Sequence, residues 1–290
     1  MFRKNVTMQR VLSTHLLVNR KLTAALVREV ARAEISAIEL FCTRWHFDYR
    51  SVDDARELAS WLAGEHLTLH SIHAPTTRDS HPTRESGTPL SISDPERAKR
   101  QDAVDEIKRA LDLAEYIPFR YCIQHVVRLR DIPDQRRWDA AFSSLEHLSL
   151  FAKQRGVTMA LENTLGEMAT PANLKHFLEQ TRLTNVMLCL DIGHAHIEGG
   201  VPSAVETIRN FVVTTHVHDN NGVRDDHLMP YMGTIDWNAT LASLPSETPI
   251  VLELKEPAAA VGSDAVQALT ETLEATRNVF EKFEQALARA

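Results

Sequence analysis

Two histidines, two residues apart, close an apolar run in the segment His216-Val217-His218-Asp219-Asn220. Residues at that spacing on a strand point the same way. A carboxylate–imidazole pair, Asp225 and His227, follows in a polar stretch that ends in Gly233-Thr234-Ile235-Asp236-Trp237. A polar cluster at a strand exit serves no packing purpose. Neutral imidazoles beside ionised carboxylates are the donor set of a divalent metal of borderline softness. The plainer alternative is a polar loop with hydrogen-bonded histidines.

The elements that must position these residues are short apolar runs: Arg10–Leu17, Ala37–Phe41, Leu67–His73, Tyr121–Val126, Thr158–Glu162, Val186–Asp191, Val212–His218 and Ile250–Leu254. Between them lie stretches with helical spacing, clearest over Ser51–Ala63, Glu96–Ala114, Trp138–Arg155 and Ala265–Ala288. Thr170-Pro171 and Ser93-Asp94-Pro95 both look like helix starts. Strand and helix alternate to the end without a break in composition, which predicts a single α/β (β/α)8 TIM barrel over residues 1–290. A doubly wound open sheet competes less well, because it usually has fewer strands and no GxGxxG turn is present. Thr76–Ser93, rich in Ser, Thr, Pro and Gly, is a candidate lid.

Barrel enzymes carry their chemistry at the C-terminal ends of the strands. From the third strand onward the ends read His73, His125, Glu162-Asn163, Asp191 with His194 just after it, His216 with His218, and Glu253 with Lys255. A lone strand-end carboxylate is often a helix cap or an ion-pair partner. A potential metal ligand at six consecutive strand ends would be an odd accident.

Composition narrows the classes. The 290 residues are 43% apolar and 24% charged, ordinary for one folded domain. No apolar run is long enough to span a bilayer, and Met1-Phe2-Arg3-Lys4-Asn5 lacks the apolar centre of a signal peptide. Cys42, Cys122 and Cys189 are widely spaced and odd in number, as expected of reduced thiols in a cytoplasmic protein. A net charge of −7 disfavours bulk attraction to nucleic acid. Arg128-Leu129-Arg130 and Arg136-Arg137 read as a solvated loop.

Taken together, His73-Ala74-Pro75, Leu161-Glu162-Asn163, Leu190-Asp191-Ile192-Gly193-His194, His216-Val217-His218-Asp219-Asn220 and Asp225-Asp226-His227 followed by Gly233-Thr234-Ile235-Asp236-Trp237 resemble the xylose isomerase-like TIM-barrel superfamily. The resemblance covers essentially the whole chain. That superfamily holds sugar and sugar-phosphate isomerases and epimerases together with zinc-dependent AP endonucleases. The resemblance implies a core metal site of Glu162, Asp191, His216 and Glu253 for one divalent ion (Mn, Co, Mg or Zn). It also implies proton transfer through a cis-enediolate by Glu162 and Glu253, with the ion polarising the substrate oxygens. His73, His125, His194, Asp225 and His227 match the additional ligands of the endonuclease branch, in which Glu162 would bridge and two or three metals would bind. On the isomerase reading, His194 hydrogen-bonds the reacting oxygen, His73 and His125 line the pocket, and the Asp225–His227 loop covers it.

Other residues receive smaller roles. His218 is a candidate to orient a ligand, and Asp219 a partner of that kind or a turn cap. His70 is expected to pack on the face opposite His73, and His196 to face solvent. His15 and Glu39 are expected to be buried and hydrogen-bonded. Lys255 either reaches the pocket or pairs with Glu39. Trp45, Phe47 and Tyr231 form a sugar-stacking wall or pack at the top of the barrel. Trp237 anchors its loop.

The expectation is a metal-dependent isomerase or epimerase acting on a small carbohydrate. A lyase or dehydratase would use the same groups, and a zinc phosphodiesterase of the AP endonuclease type is the alternative. The intact carboxylate set argues against an idle binding barrel. The acidic chain and the lack of basic and intercalating residues after the second and third strands favour the sugar enzyme. The lack of a phosphate-binding glycine loop favours a non-phosphorylated substrate. Barrels of this group often pair, so a homo-oligomer is expected.

Overall fold

The computed structural model describes residues 8–79, 87–128, 131–245, 247–256 and 265–289. Eight parallel strands close into a barrel in the order β1-β10-β9-β8-β7-β6-β3-β2. They are β1 (Arg10–Ser13), β2 (Ala37–Phe41), β3 (Thr68–His73), β6 (Tyr121–His125), β7 (Thr158–Glu162), β8 (Val186–Asp191), β9 (Val212–Val217) and β10 (Ile250–Leu252). β4 (Thr77–Arg78) and β5 (Thr88–Pro89) pair separately as an antiparallel ribbon. The helices are α1 (Ala24–Arg32), α2 (Val52–Gly64), α3 (Arg97–Leu111), α4 (Gln135–Lys153), α5 (Pro171–Thr181), α6 (Ile192–Ile197), α7 (Val201–Ile208), α8 (Trp237–Ser243) and α9 (Ala265–Arg289). Among the described residues no helix is long and apolar enough to cross a membrane.

Local chemistry accounts for the helix starts. The side chains of Thr23, Ser51, Asp134, Thr170 and Asp236 each accept a backbone N–H in the first turn of their helix, and Pro171 follows Thr170 at the first helical position. Ser93-Asp94-Pro95 does not open α3, which begins at Arg97 without a side-chain cap, while Asp94 accepts from the Glu96 N–H. The first apolar run is strand only to Ser13; Thr14–Leu17 turns as a 3-10 helix with Leu16 and Leu17 buried. Both forms bury an apolar run, so the pattern alone could not separate them.

The main core lies between strands and helices and includes Leu12, Ile38, Ile72, Leu145, Leu188 and Phe280. Two smaller clusters, Val11–Ala37–Val251 and Ile123–Ala160–Cys189, stand apart from it. With a side-chain period of two, Ile123, Ala160, Cys189 and Val251 each lie two residues before an ionisable group at or just past a strand end, and Ala37 lies two before Glu39 within β2. They line the barrel interior directly beneath those groups. Cys42, Cys122 and Cys189 are buried and unbridged.

Register sets the neighbours at the mouth. His125 pairs with Glu162 and Asp191 with His216. A register shift between β2 and β3 aligns Glu39 with Ser71 and makes His70 the extra residue. His70 therefore leaves the outer face expected of it. Its Nε2 lies 3.2 Å from Thr214 Oγ1. β3 and β9 are not neighbours, so that contact crosses the barrel interior. Burial pulls the His70 imidazole down to about 4. Of the candidate lid, residues 80–86 lie outside the described residues, as do Leu129 and Arg130 of the basic loop. Arg128 and Arg137 both pair with Asp131.

Candidate metal centre

Glu162 ends β7 and Asp191 ends β8, His216 lies on β9, and Glu253 follows β10 by one residue. All four are buried, and their donor atoms lie within 4.8 Å of one another. Two further groups meet the same criterion: His73, His125 and Glu162, which shares its carboxylate with the first, and His194, His218, Asp225 and His227. The structure thus gathers Glu162, Asp191, His216, Glu253, His73, His125, His194, Asp225 and His227 at one end of the barrel.

Second hydrogen bonds orient most of the imidazoles. His73 Nδ1 donates to the Ala74 carbonyl (2.9 Å), His194 Nδ1 to that of Asn163 (2.9 Å) and His227 Nδ1 to that of Glu253 (2.9 Å). Each Nε2 is then left for the cluster. His73 Nε2 lies 3.4 Å from Glu162 Oε2, and the Nε2 atoms of His194 and His227 lie 3.4 and 3.1 Å from Asp225 Oδ2. His125 Nε2 lies 3.1 Å from Glu162 Oε2. His216 is turned the other way. Its Nε2 donates to Glu39 (3.1 Å), and its Nδ1 lies 3.2 Å from Glu162 Oε1 and 3.4 Å from Glu253 Oε2.

That Nδ1 is buried without a hydrogen bond, as are Asp225 Oδ1 and His218 Nδ1. A lone pair held against two carboxylate oxygens is repulsive unless positive charge sits between them. Without a metal, protons fill that role. Burial alone would lower His216, but the surrounding carboxylates outweigh it and hold the imidazole well above its usual range. Burial likewise opposes the rise of His194, yet Asp191, Asp225 and Glu162 lift it to about 10. Burial would raise Glu162 and Glu253, but neighbouring imidazoles, His216 foremost, hold Glu162 well below and Glu253 below the usual carboxylate value. Such a site exchanges protons for a divalent cation readily. Two glutamates, an aspartate and an imidazole suit Mn, Co, Mg or Zn, and the imidazole-rich groups lean towards Zn.

Asp191 also caps α6 by accepting from the His194 N–H at 2.6 Å. Asn163 braces the same corner, accepting from the Asp191 N–H and donating to the Asp191 carbonyl. His218, read from sequence only as an orienting group, joins the third donor group; its Nε2 lies 3.2 Å from Asp191 Oδ2 and 3.6 Å from Asp225 Oδ1. Its ring lies so close to Gly193 that any side chain there would collide with it. The spacing of two from His216 was the available signal for His218.

The loop after β9 is held by Asp219. Its carboxylate accepts from the N–H groups of Asn220 (2.9 Å), Tyr231 (3.0 Å) and Ile235 (3.2 Å) and from Trp237 Nε1 (2.8 Å). Trp237 is buried and anchors the loop.

The pocket residues fare differently. Lys255 donates to the Asp225 carbonyl (3.0 Å) and not to Glu39, whose oxygens take Ser71 and His216. Tyr231 is turned away from the donor groups; its ring packs on Trp237 and Phe283, with Lys282 over it. Trp45 has Lys21 over its ring, and Phe47 is buried. His196 is partly exposed, with its Nε2 2.9 Å from Thr234 Oγ1. Phe41, not singled out from sequence, packs between His15 and His73 at the rim. His15 donates through Nδ1 to the Leu254 carbonyl, and burial lowers it to about 4, so it stays neutral.

The model of the xylose isomerase-like TIM barrel family matches residues 27–279. The chain belongs to that family. It is 27% identical over 211 residues to the uncharacterized protein y4fM of Sinorhizobium fredii, a match over 64% of this chain and 66% of that one. Among solved structures, L-ribulose 3-epimerase superposes with a TM-score of 0.75 at 16% identity, covering 98% of this chain and 96% of that one. The IOLI protein with a binding zinc atom superposes at 0.74 with 18% identity, covering 97% and 99%. At these identities the likeness is one of fold.

Proposed function

We propose that this protein is a divalent-metal-dependent isomerase or epimerase acting on a small carbohydrate. The observation that carries the reading is the buried quartet, in which Glu162 and Glu253 flank the unpartnered His216 Nδ1. Glu162, Asp191, His216 and Glu253 would hold the cation. When bound, it supplies Lewis acidity, polarising substrate oxygens and acidifying the C–H beside a carbonyl.

The chain's own residues do the rest. One of Glu162 and Glu253 takes the proton from carbon, and the other returns it from the opposite face. His194, with its Nδ1 held at the Asn163 carbonyl, would present Nε2 to hydrogen-bond the reacting oxygen. The buried, histidine-lined setting excludes bulk water and strengthens each of these contacts. The resemblance in fold to L-ribulose 3-epimerase supports the substrate class, and the zinc in the IOLI protein supports a divalent ion.

One observation favours a second reading. Three adjacent donor groups, two of them sharing Glu162, are what a polynuclear zinc phosphodiesterase requires. The deciding measurement is metal content by elemental mass spectrometry on untagged protein purified without chelator, followed by screens of ketoses and abasic DNA. One exchangeable ion with solvent-deuterium incorporation into a ketose supports the sugar enzyme. Two or three tightly held zinc ions with strand cleavage would overturn it.

A further inference from the structure

Glu39 lies on β2, across the barrel from β9, and is fully buried. An ionised carboxylate in the interior is costly unless it is paired and hydrogen-bonded. Its charged contact is not a lysine or arginine but His216, whose Nε2 lies 3.1 and 3.2 Å from the two carboxylate oxygens. Ser71 Oγ donates to Oε2 at 2.7 Å and fixes the carboxylate from the side. That contact depends on the register shift in β3, since unshifted pairing would have set His70 beside Glu39. The previous residue of β2 on this face is Ala37, packed with Val11 and Val251, so an apolar side chain suits the interior one step below. Packing alone does not call for an acid here.

We infer that Glu39 is a positioning residue of the metal centre: by accepting the Nε2–H of His216 it fixes ring orientation and tautomer and presents Nδ1 to the cation. The inference rests on the metal-centre reading above. His73, His194 and His227 lean on backbone carbonyls through Nδ1. His216 leans on a carboxylate that belongs to none of the donor groups, whereas the carboxylate beside His218, that of Asp191, is itself a member of the quartet. Hydrogen bonding to a carboxylate makes an imidazole a stronger donor to a metal than bonding to a carbonyl does. Within the quartet, His216 is the one neutral donor, and Glu39 adds charge to it without occupying a coordination position.

The test compares wild type with Glu39→Gln, Glu39→Leu and Ser71→Ala. Zinc and manganese dissociation constants are measured by competition with a chromophoric chelator. The histidine side-chain 1H–15N spectrum of the zinc-loaded protein is recorded alongside. Glu39→Gln keeps an acceptor but loses the charge and should weaken zinc about tenfold; Glu39→Leu should approach about a hundredfold. Ser71→Ala should weaken it least. The Nε2–H resonance of His216, far downfield and protected from exchange in wild type, should move upfield in Glu39→Gln and lose protection in Glu39→Leu. A purely structural role would lower thermal stability without moving that resonance in the folded Gln and Ser71→Ala variants. Folded Glu39→Gln with wild-type affinity and an unmoved resonance would overturn the role of Glu39 alone. Wild-type protein that binds neither cation would overturn the metal centre itself.

Discussion

The strand-borne quartet and the loop-borne group beside it are built on different principles. Glu162, Asp191, His216 and Glu253 are at most 3% exposed and sit at or one residue past the ends of barrel strands. In the second group, the Asp225 side chain is 29% exposed, and Asp225 and His227 ride on the loop between β9 and α8. Strand register positions the quartet. The loop has no ladder of that kind. It is tied by one buried carboxylate, Asp219, by the antiparallel bridge from Asp219 to Leu228, and by contacts from Lys255, Glu253 and His196. A charge cluster can therefore be held by the register of a sheet, or by a loop whose backbone is gathered on a buried carboxylate.

The largest expected effect breaks the quartet. Glu162→Gln and Glu253→Gln should each abolish exchange of the substrate C–H with solvent deuterium, a loss of at least about 10²–10⁴-fold for a missing acid–base group. Glu162→Gln should also cost more metal than Glu253→Gln, because Glu162 belongs to two groups. Retained exchange in both variants would remove them as the proton-transfer pair.

Asp219→Asn separates the two regions. It removes charge from four hydrogen bonds and should lower stability by about 2–3 kcal/mol, read as the midpoint of denaturant unfolding. Metal held by the quartet should survive, whereas any second equivalent that needs Asp225 and His227 should be lost. Equal loss of both would mean that the loop and the sheet form one unit.

A pH series sharpens the contrast further. In the metal-free protein His194 titrates at about 10, above its unfolded value, so at pH 7 it carries a proton that a cation must displace. Calorimetry in buffers of different ionisation enthalpy should show proton release on binding and affinity rising with pH. The same shift gives the metal-free fold a stabilisation that is complete below about pH 6.5 and lost as pH climbs through about 10. Saturation with zinc should flatten that alkaline loss. The smallest effect is expected from Tyr231→Phe, which should leave kcat/KM within about twofold, because the ring faces Trp237 and Phe283.

The two regions also differed in how far they could be read from sequence. Strand ends are marked by apolar runs that stop at an ionisable residue, so His73, His125, Glu162, Asp191, His216 and Glu253 stand out together once a barrel is assumed, and the resemblance selects Glu162, Asp191, His216 and Glu253 as the core site. Asp225 and His227 are marked by their type and spacing beside the His216–His218 pair, but their role as additional ligands comes only through resemblance, since nothing in a loop's spacing says where it folds back. The roles of Glu39 and His70 turned on a slip of one residue between β2 and β3, and no periodicity announces such a slip. The outward turn of Tyr231 depends on its positive φ of 74° and its packing on α9, both set by distant chain.

Gly193 and His218 carry a last consequence. The imidazole occupies the space a side chain at 193 would need, so these positions are two halves of one volume. Among descendants of this chain they can diverge only in concert: a larger residue at 193 requires a smaller one at 218, and losing that histidine removes a donor from the loop-side group. The pair should therefore covary, and its state should mark which lineages keep a donor group beside the quartet and which have given it up.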